Sequence, residues 1–434
     1  MAYAEKRGGG KTPWRARYKK PDGFLDSEPG FRTKKQAEDW GRDQEAAIRQ
    51  GRWQDPKKAR TPFGEWAATW MDAQHVAPST VIKRKRLLKT HLLPEWEHTP
   101  ICEINLFTAK SWAARQTCAQ VTVGHALTLL SMILTGAADA GYLLANPMYG
   151  RRRQTDRTSH DTTRHRKEEA EEVWAQPEHV HAIYQRLGGV HALMVLTAAF
   201  TGLRWGELAG LHRDNALLAR DDRRVLRIDP LVGALHEVEF ELTEEELEAW
   251  RVREAERLAK AAAEGRTARP KKEPGGKVVL YLGPPKNKTS AREVDLPPFL
   301  AALWEQHLAG WKHDYVFATP KDGRFWRRGN FARQHLRPGA DGRTALPAVK
   351  GHAPREEWEP ILPGLTMRGL RHTHSTWMKE DGVDRALRFE TMGWAVADIE
   401  GVYEHVTPQM RKVRLDALER RWKQARRRGL KVAG

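Results

Sequence analysis

The sequence predicts a mainly α-helical, multidomain chain with small β-sheets, an α+β fold class. Three observations predict it. Apolar side chains recur at three- and four-residue spacing between residues 62 and 147, as they do in packed helices. Short segments of branched residues, typical of strands, occur near the N-terminus and between residues 223 and 297. Residues 151–167 are almost entirely polar and cannot bury a core, which predicts a linker.

The net charge points to a polyanionic partner. The 434 residues carry a formal charge of +18, which favours nucleic acid first and an acidic membrane second. The N-terminus has no apolar signal region, and we expect no uncharged run to reach the roughly 18 to 20 residues that span a bilayer. These features predict a cytoplasmic, DNA-associated protein with no membrane partner. Cys102 and Cys118 lack the spacing of a disulfide framework or a zinc site, and we expect both to be at least partly buried.

Two small domains are predicted before the linker. Residues 1–60 indicate short strands followed by one helix that ends at Gly51, a module that is either a DNA-groove binder or a solvated surface. Residues 61–150 indicate a compact helical domain, in which Ser79 is expected to cap a basic helix. That helix is either a solvated face or, because its charges have one sign, a phosphate-binding face. Its cations are Lys83, Arg84, Lys85, Arg86 and Lys89.

The basic linker begins with Arg151, Arg152 and Arg153. A cationic segment between two DNA-binding domains is expected to pass close to the DNA backbone. The chain is therefore predicted to close around DNA as a clamp, with the chemistry in residues 168–434.

An arginine opens a helix in the segment TGLRWGELAGL. Gly202 is expected to end the preceding apolar helix, and Arg204 to begin the next, where free backbone N–H groups already favour an anion. Its guanidinium could bind a phosphate oxygen pair, with Glu207 one turn later as its partner. The alternative is an ordinary surface ion pair.

A second cationic helix start lies in LTMRGLRHTHSTWM. With Thr366 as the cap, Arg368, Arg371 and His372 fall on one face of the first turns. Such a group repels itself unless an anion lies among its members, so the pattern predicts an anion site. His372 and His374 are too closely spaced for a helical metal pair, and no metal is predicted.

Two further residue types complete the pattern. The turn between two predicted strands presents Lys286 or Lys288, which is either simply solvated or able to protonate a leaving oxygen of DNA. Trp394 precedes Tyr403 near the C-terminus. A single tyrosine is more often structural than nucleophilic.

Taken together, the segments TGLRWGEL, PKNKTSAREVDLP, RGLRHT, MGW and VYEH occur in an order that resembles the tyrosine recombinases, the phage integrase family. The resemblance covers about residues 204–405 and is looser before them, where it implies an arm-type module and a core-binding domain. It implies that Arg204 and Arg371 bind the phosphate, Lys286 rather than Lys288 acts as general acid, Trp394 occupies the family's histidine-or-tryptophan position, and Tyr403 is the nucleophile.

The resemblance also implies an activity. A site-specific recombinase of this type cleaves double-stranded DNA at attachment-type sites through a 3′-phosphotyrosyl link and a Holliday junction, without cofactor or metal. It implies a homotetramer on DNA and a possible directionality factor. The alternatives are a type IB topoisomerase and a DNA-binding regulator that has lost catalysis.

Three departures or additions stand out. Arg368 lies where the family usually has histidine, and arginine cannot act as a general base at neutral pH. Deprotonation of Tyr403 must then be assisted by another group, by water or by the cationic field alone, and His372 is one candidate. Residues 241–276 form an insertion, in which Thr243 and Glu246 predict a capped helix exposed to solvent or to a partner. The amphipathic helix of residues 407–428 could fold back on its own domain or dock on a neighbouring protomer.

Overall fold

The computed structural model describes residues 2–8, 10–148, 172–220, 223–348, 353–395 and 405–432, with side chains to residue 428. The chain is mainly helical with small sheets, as predicted. It forms two compact units, Met1–His160 and Asp161–Gly434. The predicted linker, with Arg151, Arg152 and Arg153, lies outside the described residues.

The first unit begins with a sheet and one helix, which confirms that prediction. Strands β1 (Tyr3–Lys6), β2 (Trp14–Lys19) and β3 (Leu25–Phe31) pair antiparallel in the order β1-β2-β3, and α1 (Lys34–Arg49) follows. Thr33 and Gln36 close a capping box at the start of α1. Gly51 follows the helix with φ of +65°. Tyr18 is buried against Trp40, with ring centroids 5.4 Å apart.

The remainder of this unit is a helical core, also as predicted. Its helices are α2 (Pro56–Ala59), α3 (Phe63–Asp72), α4 (Pro78–Leu87), α5 (Leu93–Trp96), α6 (Leu106–Ala114) and α7 (Gln120–Asp139), with a π-helical segment over Leu88–Leu92. Phe63, Trp96 and Trp112 are buried together with one face of α7. The aromatic side chains of the short helices therefore pack on the long one.

Three local predictions for this unit were wrong. Ser79 does not cap α4, because it lies inside the helix. The helix already begins at Pro78, whose fixed φ suits the first helical position. Cys102 is exposed, whereas Cys118 is half-buried. The expectation that no uncharged run would be long enough to span a bilayer was also wrong, because α7 is long and apolar enough by length and composition. Its buried side chains, Leu130 and Ile133 among them, instead form the core of the unit.

The second unit is built around α9. Its helices are α8 (Pro177–Leu187), α9 (Gly189–Thr201), α10 (Trp205–Ala209), α11 (Glu244–Ala263), α12 (Pro298–Gly310), α13 (Arg328–Phe331), α14 (Arg337–Asp341), α15 (Met367–Glu380), α16 (Arg385–Met392) and α17 (Pro408–Val432). Its strands are β4 (Ala216–Leu217), β5 (Val225–Ile228), β6 (Ala234–Phe240), β7 (Lys277–Gly283) and β8 (Arg292–Asp295). Nearly all of α9 is buried, and α8 and α15 pack against it.

The strands form two separate sheets. One has the order β4-β5-β8, and the other pairs β6 with β7 antiparallel from Ala234↔Gly283 to Phe240↔Lys277. The prediction that Lys286 and Lys288 lie on a turn between paired strands was therefore wrong, since β7 and β8 belong to different sheets. Alternation specifies a strand but not its partner.

The insertion forms the long helix α11 between β6 and β7, as predicted. Thr243 accepts from the Glu246 backbone N–H and Glu246 from that of Thr243, which completes the predicted capping box. Gly265 follows the helix with φ of +67°. Ala261 is buried, while the described side chains of α11 are otherwise half-buried or exposed. The helix therefore presents most of its surface outward.

The apolar stripe of α17 folds back on its own unit. Leu418 and Trp422 are buried in the core that surrounds α9. The Trp422 ring stacks on Phe299, with centroids 4.6 Å apart and planes 12° from parallel. This packing decides between the two alternatives for the stripe, because it is already covered within the chain.

Candidate active site

A cleft of about 420 Å³ brings together residues from both predicted anion-binding motifs. The predicted residues Arg204, Arg368, Arg371, His372 and Trp394 line it, and so do Ser375, Thr376, Lys379 and Met392. The start of α10, one face of α15 and the end of α16 form its walls. Three guanidiniums around one space make it a strong site for an oxyanion.

Arg204 is held at the start of α10 by local geometry. Gly202 ends α9 in the left-handed conformation, and the chain then turns so that Arg204 precedes the helix. The predicted contact with Glu207 is present. The Arg204 backbone N–H donates to Glu207 Oε2 at 2.9 Å and its Nη1 donates to Oε1 at 2.8 Å. Arg204 Nη1 also donates to Ser290 Oγ at 2.8 Å, which fixes the guanidinium from a second side.

A residue that sequence reasoning missed, Arg292 on β8, shares the Glu207 carboxylate. Its Nη2 lies 3.1 Å from Oε2, and its side chain is 4% exposed. Burial would raise the pKa of Glu207, but Arg292 and Arg204 hold it below its usual value. The carboxylate is therefore ionised and orients both guanidiniums. Arg292 lies 85 residues from Glu207, so no local spacing indicates the contact.

Arg371 is fixed by two backbone carbonyls. Thr366 caps α15 by accepting from the Gly369 N–H at 2.8 Å, as predicted. One turn later, Arg371 Nη1 donates to the Gly202 oxygen at 2.5 Å and Nη2 donates to the Met392 oxygen. Burial, and then Arg204, lower the pKa of Arg371 to about 9. The guanidinium is still protonated at neutral pH, and a bound anion would relieve its repulsion with Arg204.

Arg368 and His372 share the carboxylate of Glu172, which was not predicted from the sequence. Glu172 Oε1 lies 3.2 Å from Arg368 Nε, and Glu172 Oε2 lies 2.7 Å from His372 Nε2. The Arg368 side chain is 79% exposed and that of His372 48% exposed, so both remain accessible from the cleft. Glu172 lies in the acid-rich segment KEEAEEVW before α8, where nothing in the sequence singles it out.

Trp394 closes the cleft at the end of α16. Gly393 has φ of +59°, and a Cβ there would lie 2.9 Å from Arg292 Nη1, so the position requires glycine. The Trp394 side chain packs, together with Val406 and Met410, against a small apolar cluster. This cluster consists of Met378, Val383, Leu387 and Met392. Tyr403 lies outside the described residues.

The predicted lysines and His374 occupy other positions. Lys286 and Lys288 are exposed on the loop that leads to Ser290, and within the described part of the chain neither lines the cleft. His374 is fully buried behind the cleft, where its Nδ1 lies 3.1 Å from the Ala199 oxygen. Burial lowers the pKa of His374 well below its usual value.

Two further basic surfaces were found, one in each unit. On α4 and the π-helical segment after it, Lys83, Lys85, Arg86 and Lys89 are exposed. Arg84 differs, since it donates to Gln74 Oε1 at 2.7 Å and lies over the Trp70 ring.

In the second unit, a cleft of about 320 Å³ is lined by Arg327, Arg328 and Arg333, all exposed, opposite Glu237. Glu237 Oε1 accepts from the indole N–H of Trp205 at 2.9 Å and from the Arg328 backbone N–H. Sequence reasoning missed this cleft. Glu237 connects it to α10, and so to the residue next to Arg204.

Comparison with known proteins gives relatives by sequence and by structure. The chain is 24% identical to a protein named as a prophage phiRv2 integrase from Mycobacterium tuberculosis, over 398 residues that cover 90% of this chain and 88% of the relative. A structure of the Tn1549 transposon integrase in complex with transposon right end DNA covers 83% of this chain and 100% of its own, at 16% identity and a TM-score of 0.49. A lambda integrase tetramer bound to a Holliday junction covers 93% and 98%, at 12% identity and a TM-score of 0.44. No protein-family profile matches the chain.

Proposed function

We propose that the chain is a tyrosine recombinase of the phage integrase family, and that it cleaves and rejoins DNA at specific sites with Tyr403 as the nucleophile. The observation that carries the proposal is the convergence of Arg204, Arg368 and Arg371 on one cleft. A scissile phosphodiester in that cleft would be surrounded by guanidinium donors. These donors stabilise the negative charge that builds on the non-bridging oxygens during phosphoryl transfer.

The phosphate site is prepared before DNA arrives. Glu207, Ser290 and backbone carbonyls already hold Arg204 and Arg371, so these side chains lose little freedom on binding. Arg368 is exposed and can move from Glu172 to the phosphate. The Trp394 ring would cover the phosphate from the α16 side.

Tyr403 would attack phosphorus to form a 3′-phosphotyrosyl bond, and the 5′ oxygen would leave. Trp394 and Val406, which precede and follow Tyr403 in the sequence, pack against the same apolar cluster, and Trp394 also lines the cleft.

Lys286 would protonate the leaving 5′ oxygen, with Lys288 as the alternative. Its loop is anchored by Ser290, which contacts Arg204. Four residues of chain span at most about 14 Å, so an extended Lys286 side chain can reach DNA bound at Arg204. The covalent link conserves the energy of the broken bond, so a 5′ hydroxyl of a partner duplex can reverse the step and exchange strands without a nucleotide cofactor.

DNA would contact several basic surfaces. Residues 61–150, as a core-binding domain, would contact it through Lys83, Lys85, Arg86 and Lys89, and the linker of residues 151–167 through Arg151, Arg152 and Arg153. The arginines opposite Glu237 would bind beside the cleavage site. Family membership further suggests attachment-type sites, a homotetramer on DNA, a possible directionality factor and a cytoplasmic location.

A nicked suicide substrate tests the proposal, because the cleaved strand cannot be rejoined. The wild type is expected to form a covalent protein–DNA adduct and Tyr403→Phe none. Absence of an adduct with the wild type would leave a DNA-binding regulator. Two attachment-type duplexes should also yield Holliday junctions; relaxation of supercoils without junctions would identify a type IB topoisomerase.

A further inference from the structure

We propose that Glu172 positions His372 as the proton acceptor for Tyr403, in place of the histidine that is absent at position 368. The inference rests on the proposed function and deepens it. It assigns His372 as the general base and Glu172 as a positioning residue that orients the imidazole and balances its charge.

Among the described residues that line the cleft, His372 carries the side chain best suited to accept a proton. A guanidinium or an ammonium has no lone pair to offer, and Arg371 keeps its proton at neutral pH even with a pKa lowered to about 9. The hydroxyls of Ser375 and Thr376 are poor bases, and Met392 and Trp394 have no basic group. The imidazole of His372 is the group that remains, and histidine is the residue type that most often serves as a general base.

Glu172 and His372 are in direct contact. Glu172 Oε2 lies 2.7 Å from His372 Nε2, a distance at which the carboxylate fixes the ring and its tautomer. With the Nε2 proton donated to Glu172, Nδ1 carries the lone pair that can accept the phenolic proton. Glu172 and His372 are about one-third and one-half exposed, so the pair lies at the surface of the cleft and is accessible to the phenol and to DNA.

Glu172 also balances the charge that His372 gains as a base. Once His372 accepts a proton, it is a cation among cations: Arg368, Arg371 and Lys379 on its own helix and Arg204 from α10. A carboxylate in direct contact offsets that repulsion. Glu172 is the partner that the described residues provide, and its other oxygen lies 3.2 Å from Arg368. When Arg368 moves to the phosphate, Glu172 remains with His372 alone.

Strand cleavage couples two proton transfers to the exchange of bonds at phosphorus. The proton of the Tyr403 hydroxyl passes to His372 while the phenolic oxygen bonds to phosphorus. The bond from phosphorus to the 5′ oxygen breaks, and that oxygen takes a proton from Lys286. Rejoining reverses both transfers, with the imidazolium returning its proton to the departing phenol.

The test is the single-turnover rate of adduct formation on a nicked substrate at saturating DNA, followed from pH 6 to pH 8.5, below the pKa of about 9 at which Arg371 would lose its proton. His372→Gln should lower the rate at neutral pH by about 10²- to 10⁴-fold, the usual contribution of a general base. The wild-type rate should fall on acidification, because an imidazolium cannot accept the proton. The variant should instead gain rate steadily toward alkaline pH, where solvent hydroxide takes over.

Rescue separates a proton-transfer role from a structural one. Arg368→His restores histidine at the family's usual position but removes one phosphate-binding guanidinium, so the effect of His372→Gln is compared in the two backgrounds. The loss of rate caused by His372→Gln should be at least about tenfold smaller in the Arg368→His background than in the wild type. Thermal unfolding and DNA affinity of each variant verify that folding and binding are intact.

Glu172→Gln tests the positioning residue. We expect a loss of about 10- to 100-fold, as for other partners that orient a histidine, with a displaced acidic limb in the pH profile. Glu178→Gln is the matched control. Glu178 is equally exposed at 31% and forms one ion pair, with Arg428 at 2.7 Å, away from the cleft lining. Its rate and pH profile should be those of the wild type.

Three outcomes would overturn the inference. His372→Gln could keep the wild-type rate and pH profile. Glu172→Gln could cleave faster than the wild type, which would mean that the carboxylate obstructs the phosphate site. His372→Gln could cost as much rate in the Arg368→His background as in the wild type, despite normal folding and DNA binding. Each differs from failure of the proposed function, in which the wild type itself forms no adduct at Tyr403.

Discussion

Glu207 binds Arg292 through both carboxylate oxygens, at 3.3 Å to Nη1 and 3.1 Å to Nη2, in a site where both side chains are almost fully buried. The same carboxylate holds Arg204 at the edge of the cleft. Glu207 therefore compensates two cations, while Glu172 lies against Arg368 and Arg371 is left to the substrate phosphate.

Removal of the Glu207 carboxylate should destabilise the fold as well as the site. Glu207→Ala leaves Arg292 buried without a counter-charge, and we expect the free energy of unfolding to fall by about 3–5 kcal/mol. Denaturation in urea measures it. Glu248→Ala on α11 is the control, because Glu248 and its ion-pair partner Arg251 have exposed side chains, at 67% and 48%. Equal losses in the two variants would contradict the account.

A methyl group at Gly202 should disturb the cleft from behind. Gly202 and Gly265 have the same φ of +67°, but a Cβ at Gly202 would lie 2.8 Å from Met392 Sδ, whereas none of the neighbouring atoms lies within 4 Å at Gly265. Both alanine variants incur the left-handed backbone cost of about 1–2 kcal/mol. Gly202→Ala should lose about 1–3 kcal/mol more through overpacking. Calorimetric unfolding of the two variants would refute this if their losses agreed.

The packing of α17 predicts the effect of Trp422→Ala. Because the Trp422 ring is buried on Phe299, its removal should cost about 3–5 kcal/mol of unfolding free energy in the free protein. Gln424→Ala, on the exposed face of α17, should be within about 0.5 kcal/mol of wild type. A stable Trp422→Ala protein that fails to assemble on DNA would instead assign this stripe to a neighbouring protomer.

The basic helix α4 should contribute to the salt dependence of DNA binding. Lys85→Ala with Arg86→Ala removes two exposed cations, and the slope of log affinity against log salt should become shallower by about 2. Arg253→Ala with Lys260→Ala removes two exposed cations from α11 and should leave the slope unchanged. Binding titrations at several salt concentrations measure both. Identical slopes for the two double variants would place α4 away from DNA.

Burial of His374 predicts a loss of stability in acid. Its pKa is lowered in the folded protein, so the unfolded chain binds a proton at a pH where the native chain does not. Stability contributed by neutral His374 is therefore present above the ordinary histidine pKa of about 6.5 and declines below it, by up to about 1.4 kcal/mol per pH unit. His374→Asn should flatten the decline between pH 7 and pH 5 in urea unfolding. An unchanged slope would show that His374 does not titrate on unfolding.

Local contacts of the site could be predicted from the sequence, whereas long-range ones could not. Arg204 and Glu207 lie three residues apart, so helix geometry alone indicates their contact. Glu172 and Arg292 reach the site through tertiary folding, and neither has a distinguishing motif. The pairing of β7 and β8 was misread for the same reason, since strand periodicity carries no information about the partner. The family resemblance, rather than spacing, linked the separate motifs to one reaction.

Strand cleavage should leave Tyr403 covalently joined to a 3′ phosphate of DNA. The most direct measurement is mass spectrometry of the peptide that remains attached to DNA after a nicked substrate is trapped and the protein digested. We predict one modified residue, Tyr403, carrying a 3′-linked nucleotide. Linkage to another residue, linkage through a 5′ phosphate, or no linked peptide would contradict the account.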